Sequence, residues 1–322
     1  MGKWTDGIMG VICGDALGNP VQFMSREAVR KRGPVRGMEA GGVFHMPAGC
    51  WTDDGSMTLA SMDSILEKDG LDLSDLMDRF VLWDREGAYT PTGRAYDQGI
   101  TCMDALQAYR RGRKPLDCGR EGEHANGNGG LMRILPVCLY AWDRQEKAGM
   151  GDREAVLLVH SATILTHNHL RACMAGGLYY FMAREILRGG EGSLGEILQR
   201  GLDLGMAFYR KERMDDESMH FSRILDLETL SRRPAEEIKS SGYVIHTLEA
   251  SLWGLVTAGS LEEALLRVVN LGDDADTAGA VAGGLAGLYY GYGAVPESWK
   301  EALKKREYLE DFCRRADSFV FS

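Results

Sequence analysis

The chain has 322 residues, a net charge of −10 and an apolar content of 44%, so it can bury a sizeable core without covalent staples. No segment forms a basic stripe, which excludes nucleic acid as an expected partner. The seven cysteines are odd in number and none are spaced CxxC; this excludes a disulfide scaffold or zinc ribbon and points to a reducing, cytoplasmic setting.

Taken in chain order, the dominant period is helical. Trp4, Ile8, Val11 and Ile12 open a helix that runs into the stop signal Gly18-Asn19-Pro20. Ser25 caps a short basic turn, and residues 32–51, rich in glycine with Pro34 and Pro47, read as a long loop. Leu59, Met62 and Leu66 share one face of the next helix, and Ser74 is expected to cap the one after it. Helices are then predicted over 95–110, 131–142, 153–165, 169–188, 193–212, 242–257, 260–270, 275–291 and 297–315, with loops at 86–93 and 112–130. Alternating β-branched runs are nearly absent and no Ser/Pro-rich linker interrupts the chain. The expectation is an all-α fold forming one compact domain over 1–322. Residues 209–235 are charged and weakly periodic and read as a solvated surface crossing.

Residues 277–296 carry no charge, about the length of a membrane span. They are glycine-rich, so a buried small-residue helix is expected and a membrane is not. Gly279, Gly283, Gly287 and Gly291 recur every four residues on one helix face. Each interior glycine costs a helix roughly 1 kcal/mol against alanine. Close backbone approach to a neighbouring helix is the offsetting gain, a feature of packing and not of chemistry.

Two acidic clusters carry the chemistry. Thr52-Asp53-Asp54 precedes one helix and Asp273-Asp274-Ala275-Asp276-Thr277 precedes the glycine helix. Asp and Thr at a helix start have a plain structural use, because they cap free N–H groups and complement the dipole. Capping needs one or two such residues, however, and not three acids in four positions. Hard oxygen donors at this density suit Mg²⁺ or Mn²⁺, and the two clusters can converge on one binuclear site. The pattern is not DDxxD, His-Asp or an EF-hand loop. Asn126–Arg133 is a glycine-rich turn into a helix whose N–H groups could cradle a phosphate. Thr92–Gly99 is a second turn that could touch a ligand. His167 and His169 flank a helix junction, one of them suited to line a pocket.

In their order, GDALG (14–18), TDDGSM (52–57), TGRAYDQG (92–99), NGNGGLMR (126–133), TH (166–167) and GDDADTAGAVAG (272–283) resemble the ADP-ribosylglycohydrolases, which include the dinitrogenase-reductase-activating type and the ADP-ribosylarginine hydrolases. The resemblance implies a compact all-α orthogonal bundle with a binuclear Mg²⁺ or Mn²⁺ centre. By motif, the metal ligands would be Thr52, Asp53, Asp54, Asp274, Asp276 and Thr277. ADP-ribose would lie against Gly93, Asp97, Gly99, Asn128, Gly129, Gly130, Leu131, Met132 and His167. Asp54 or Asp274 would act as base on the water that attacks the ribose. The implied activity is hydrolysis of the bond between ADP-ribose and a protein side chain, arginine first, by a monomer. A serine-linked or small-metabolite ADP-ribosyl substrate, or a non-catalytic ADP-ribose-binding module, are the alternatives.

Two positions depart from the pattern. Gln22 stands at a catalytic position where many relatives carry Glu, and an amide cannot take a proton as a carboxylate can. Gly55 stands where Thr is common.

Overall fold

Helix-period apolar runs fold as the pattern requires. The computed structural model describes residues 2–321 and holds fifteen α-helices among them. These are α1 (Lys3–Gly18), α2 (Arg26–Arg32), α3 (Asp53–Lys68), α4 (Leu73–Glu86), α5 (Ile100–Arg110), α6 (Leu135–Ala148), α7 (Asp152–Ile164) and α8 (Leu170–Arg188). They continue with α9 (Leu194–Glu212), α10 (Leu227–Ser231), α11 (Val244–Thr257), α12 (Leu261–Val269), α13 (Ala275–Tyr290), α14 (Glu297–Ala302) and α15 (Arg306–Ser318). Two short strands, β1 (Arg120–Glu121) and β2 (His167–Asn168), pair in parallel. One hydrophobic cluster extends through the bundle. Among the described residues, no helix is long and apolar enough to cross a membrane.

Helices α1 and α13 are buried along almost their whole length, and the glycines explain how they lie together. A Cβ placed on Gly10 would fall inside the carbonyl of Gly283, one on Gly14 inside the carbonyl of Gly279, and one on Gly18 against the backbone of Asp276. The reverse holds for Gly279, Gly283 and Gly287, the last meeting the carbonyl of Asp6. The two backbones touch with no side chain between them. Gly291 does not share this seam: it ends α13 at φ 79°, a left-handed value suited to glycine.

At its N-terminus α1 is closed from the far end of the chain. Asp317 of α15 accepts from the N–H of Trp4 at 2.8 Å and from that of Thr5 at 3.2 Å, and from the Thr5 hydroxyl. These bonds satisfy donors that a helix start leaves free.

Several boundaries differ from the sequence reading. Helix α4 is capped by Asp72, which accepts from the N–H groups of Ser74 and Asp75. Ser74 lies inside the helix. Ser25 caps α2 as expected. The predicted helix 95–110 starts only at Ile100, because Asp97 sits at φ 62°. The predicted helix 297–315 divides at Lys305, which is left-handed at φ 50°. Within 209–235, Phe221, Ile224, Leu227 and Leu230 are buried, so this stretch is not wholly a solvated crossing.

His160 is buried and its Nε2 meets the Tyr209 hydroxyl at 2.8 Å. Burial pushes its pKa down to about 4 from an ordinary 6.5. The unfolded chain therefore takes up a proton first as pH falls through 6.5, and the native state loses stability down to about pH 4. A shift of this size corresponds to about 3 kcal/mol. In urea titrations across this window, His160→Gln should show a flatter pH dependence than the parent chain; an equal slope would refute the assignment. For the seam, Gly283→Ala should lower unfolding free energy by about 1–3 kcal/mol or more. Gly293→Ala, where an added Cβ meets nothing within 4 Å, should be close to neutral.

Candidate active site

How α3 begins decides what its acids are for. Its N-cap, Thr52, makes no side-chain capping bond. The free N–H groups are taken instead by Asp15 of α1, which accepts from Thr52 N at 2.9 and 3.0 Å and from Gly55 N at 2.8 Å. Asp53 and Asp54 are thereby released from capping. Asp54 Oδ2 accepts from the hydroxyls of Thr52 at 3.2 Å and Thr277 at 3.5 Å, while its buried Oδ1 has no hydrogen-bond partner. The second cluster behaves alike. Asp274, the N-cap of α13, makes no side-chain capping bond and accepts from Asn128 Nδ2 at 2.5 Å. Asp276 is fully buried, and neither of its carboxylate oxygens has a partner. Capping therefore does not account for either cluster, and the Thr277–Asp54 contact joins the two.

Asp97 completes the group. Its Oδ2 accepts from Gln22 Nε2 at 2.5 Å. Six carboxylates, from Asp15, Asp53, Asp54, Asp97, Asp274 and Asp276, thus share one buried neighbourhood. Burial first, and then their mutual repulsion, hold Asp53, Asp54 and Asp276 well above the carboxylate range. Burial pushes Asp274 up to about 6 and Asp15 up to about 7. The cation nearest this group in effect is Arg133, which is buried and acts on Asp53. Buried charge of one sign requires protons or cations. The unpartnered oxygens of Asp54 and Asp276 are hard donors, and they fit Mg²⁺ or Mn²⁺. Among the described residues, no group of three or more His, Cys, Asp or Glu side chains is arranged to hold a metal ion as it stands.

A cleft of about 240 Å³ opens over this group. Asp53, Asp274 and Thr277 reach its wall, with Gln22 and Asp97. Asp54 and Asp276 lie beneath and do not. Of the residues expected at ADP-ribose, Asp97, Gly99, Asn128, Gly129, Met132 and His167 line the cleft. Gly93, Gly130 and Leu131 do not. Gly93 stands in an exposed turn closed by Thr90, Gly130 packs on Thr163 of α7, and Leu131 belongs to the core. Three N–H groups of the glycine turn are also already engaged: Asn128 N donates to Gly242 O, and Leu131 N and Met132 N donate to Asn128 O. His167 is neutral, its pKa pushed to about 3 by burial and then by Arg133. His169 is no metal partner to it, because it caps α8 through Arg171 N at 3.1 Å.

Sequence reasoning overlooked three participants. Asp15 sits in the GDALG motif, and a buried acid on an otherwise apolar helix was the available signal. Arg133 holds the glycine turn through the carbonyl of Gly129 and the hydroxyl of Thr166 at 2.7 Å. Arg171, also buried, ties Glu123 and Glu217, each at 2.7 Å, to the Tyr243 hydroxyl at 3.0 Å, fixing the loops beside the cleft. Gly55 has a packing reason: a Cβ there would lie 2.6 Å from Trp51 and 2.7 Å from Ile12.

A family model described as ADP-ribosylglycohydrolase matches residues 2–320. An ADP-ribosylarginine hydrolase Tri1 of Serratia proteamaculans (strain 568) is 27% identical over 96% of this chain and 77% of its own. An ADP-ribosyl-[dinitrogen reductase] glycohydrolase of Rhodospirillum rubrum is 30% identical over 92% of this chain and 88% of its own. A solved structure titled "ADP-ribosylglycohydrolase-related protein complex" superposes with a TM-score of 0.79 at 32% identity, over 98% of this chain and 96% of that one.

If the six carboxylates take divalent ions, Mn²⁺ or Mg²⁺ should raise the thermal unfolding midpoint as its concentration rises. At about 100 times Kd a bound ion contributes ~2.7 kcal/mol. Asp276→Asn should remove that dependence. A midpoint indifferent to both ions would overturn the assignment.

Proposed function

Because the chain belongs to the ADP-ribosylglycohydrolase family, enzymes that cleave the glycosidic bond of ADP-ribose, we propose that its substrate is a protein carrying ADP-ribosyl-arginine and that it works with two divalent ions. The observation that carries the reading is the set of unpartnered, buried carboxylate oxygens on Asp54 and Asp276 beneath a cleft walled by further acids. The names of the Serratia and Rhodospirillum relatives favour arginine as acceptor.

In this reading Thr52, Asp53, Asp54, Asp274, Asp276 and Thr277 hold the ions. Bound there, the ions supply a water of lowered pKa and orient the ribose hydroxyls. The protein's own groups do the rest. Asn128 fixes the Asp274 carboxylate, and Thr247 Oγ1 accepts from the same Asn128 amide at 2.9 Å. The Gln22 amide fixes Asp97, so the amide at this position orients a neighbouring carboxylate and leaves proton transfer to it. Of the two bases expected from sequence, Asp274 lines the cleft and Asp54 does not. In this reading the carboxylates that exchange a proton with water or leaving group are Asp97, which holds no ion, and Asp274; Asp53 also lines the cleft and is kept for the ions. His167, neutral, and the Gly129 turn form the wall on which ADP-ribose rests. All seven thiols are free and buried, which suits a reducing compartment.

The test is release of free ADP-ribose from an arginine-ADP-ribosylated protein, with Mg²⁺ or Mn²⁺ and then with EDTA. Release should need the metal. Asp54→Ala and Asp276→Ala should abolish both ion binding and turnover, while Asp97→Asn should lower kcat by about 10²–10⁴-fold with ion binding kept. Full turnover by the Asp276→Ala enzyme would refute the metal reading; release from serine-linked but not arginine-linked substrate would move the acceptor.

A further inference from the structure

The mouth of the cleft carries a side chain that neither the core nor the hydrolysis uses. Phe23 lines the cleft and is 60% exposed, an unusual expense of apolar surface for a large ring. Its backbone is left-handed at φ 63°, a conformation that any residue with a Cβ adopts only under constraint. The constraint is visible. Phe23 N–H donates to Asp273 O at 2.6 Å, and Asp273 N–H donates to Met24 O at 2.7 Å. Asp273 is itself left-handed at φ 54°. Two reciprocal backbone bonds thus lock an exposed ring and an acid side by side, immediately before cleft-lining Asp274.

The acid is uncommitted. Asp273 is exposed, and its carboxylate makes no hydrogen bond or close ion pair to any described residue. Arg26 and His246 feel its charge, but Arg26 spends its guanidinium on the carbonyls of Leu271, Ala235 and Ile238 and His246 bonds the Ser241 hydroxyl. The ring is also held in place. Phe23 meets Phe44 at 6.5 Å between centroids and Phe44 meets Tyr96 at 5.3 Å, and the Tyr96 hydroxyl donates to the carbonyl of Trp51, next to Thr52.

We propose that Phe23 and Asp273 form the acceptor subsite and take the guanidinium of the modified arginine, the ring offering its face and the acid its charge. This rests on the arginine reading above. A planar cation over an aromatic face is attracted by the ring quadrupole, and a carboxylate beside it accepts the guanidinium N–H groups. The pyrophosphate of ADP-ribose suits the same place poorly, since Asp273, next to cleft-lining Asp274, adds one more negative charge beside an already acidic cleft. An uncharged acceptor would forgo both the cation–π attraction and the ion pair.

The experiment compares wild type, Phe23→Ala, Phe23→Leu and Asp273→Asn on arginine-linked ADP-ribosyl protein, with ADP-ribose affinity measured separately by calorimetry and folding checked by circular dichroism. Phe23→Ala and Phe23→Leu should each raise KM about 5-fold, the loss expected of one cation–π contact, with kcat within about twofold. Leucine keeps the bulk and loses the ring face, so rescue by it would show simple packing and overturn the proposal. Asp273→Asn should raise KM about 2- to 5-fold, with the effect shrinking in high salt as exposed charge is screened. ADP-ribose should bind all four proteins alike. Weaker ADP-ribose binding by Phe23→Ala would place the ring against the nucleotide and overturn the proposal. Unchanged KM in an active enzyme would overturn it and leave the arginine reading intact. A wild-type enzyme inactive on arginine linkages would remove both.

Discussion

The backbone of α1 lies directly on the backbone of α13, and the candidate site follows from that contact. Side-chain-free approach is possible only with glycine at Gly10, Gly14, Gly279 and Gly283. The seam does not stop at the core. Its last step sets Gly18 against the backbone of Asp276, and one residue past Gly14 stands Asp15, which caps α3. The starts of α3 and α13 are brought to one place because both are referred to α1. Glycines that cost helix propensity thereby set the spacing of the acids, so the packing feature and the chemical feature of this sequence are one device.

The division of labour among the acids is the second consequence. One carboxylate, Asp15, satisfies the N–H groups of α3, and the acids at that helix start are then free of the work acids usually do there. Burial keeps water from them and their neighbours are mostly of like charge. Such a group is stable only with compensating positive charge, and the oxygen atoms of Asp54 and Asp276 that find no partner in the protein are where it is owed. Asn128 and Gln22, each an amide donor to one acid, steady Asp274 and Asp97, two of the three carboxylates that reach the cleft.

Much of this was legible in the sequence. Helical period and near absence of strand patterning gave the all-α class. Three acids in four positions pointed past capping, and the order of six motifs pointed to the family. What could not be read was anything set by a partner distant in the chain. Nothing local marks Asp15 as the cap of a helix 37 residues on, nor shows that Gly130 faces α7 and Gly129 the cleft. Left-handed turns were the other blind spot. Asp97 delayed the start of one predicted helix and Lys305 split another, and neither is a glycine, the residue that usually signals such a break. The hydrophobic members of 209–235 were hidden by surrounding charge, although Phe221 and Leu230 are buried.

The cap that Asp317 places on α1 has a consequence in time. Helix α1 is apolar nearly all round, and its partners α13 and α15 emerge from the ribosome only after most of the chain has been made. Until then the seam has one side and the α1 start has no acceptor for its N–H groups. An early helix that must wait for late ones raises contact order, slows folding and leaves apolar surface uncovered during synthesis. The candidate site is consequently assembled near the end of folding, and a nascent chain that stops before Asp273 holds the first acidic cluster whole, none of the second, and no joined site.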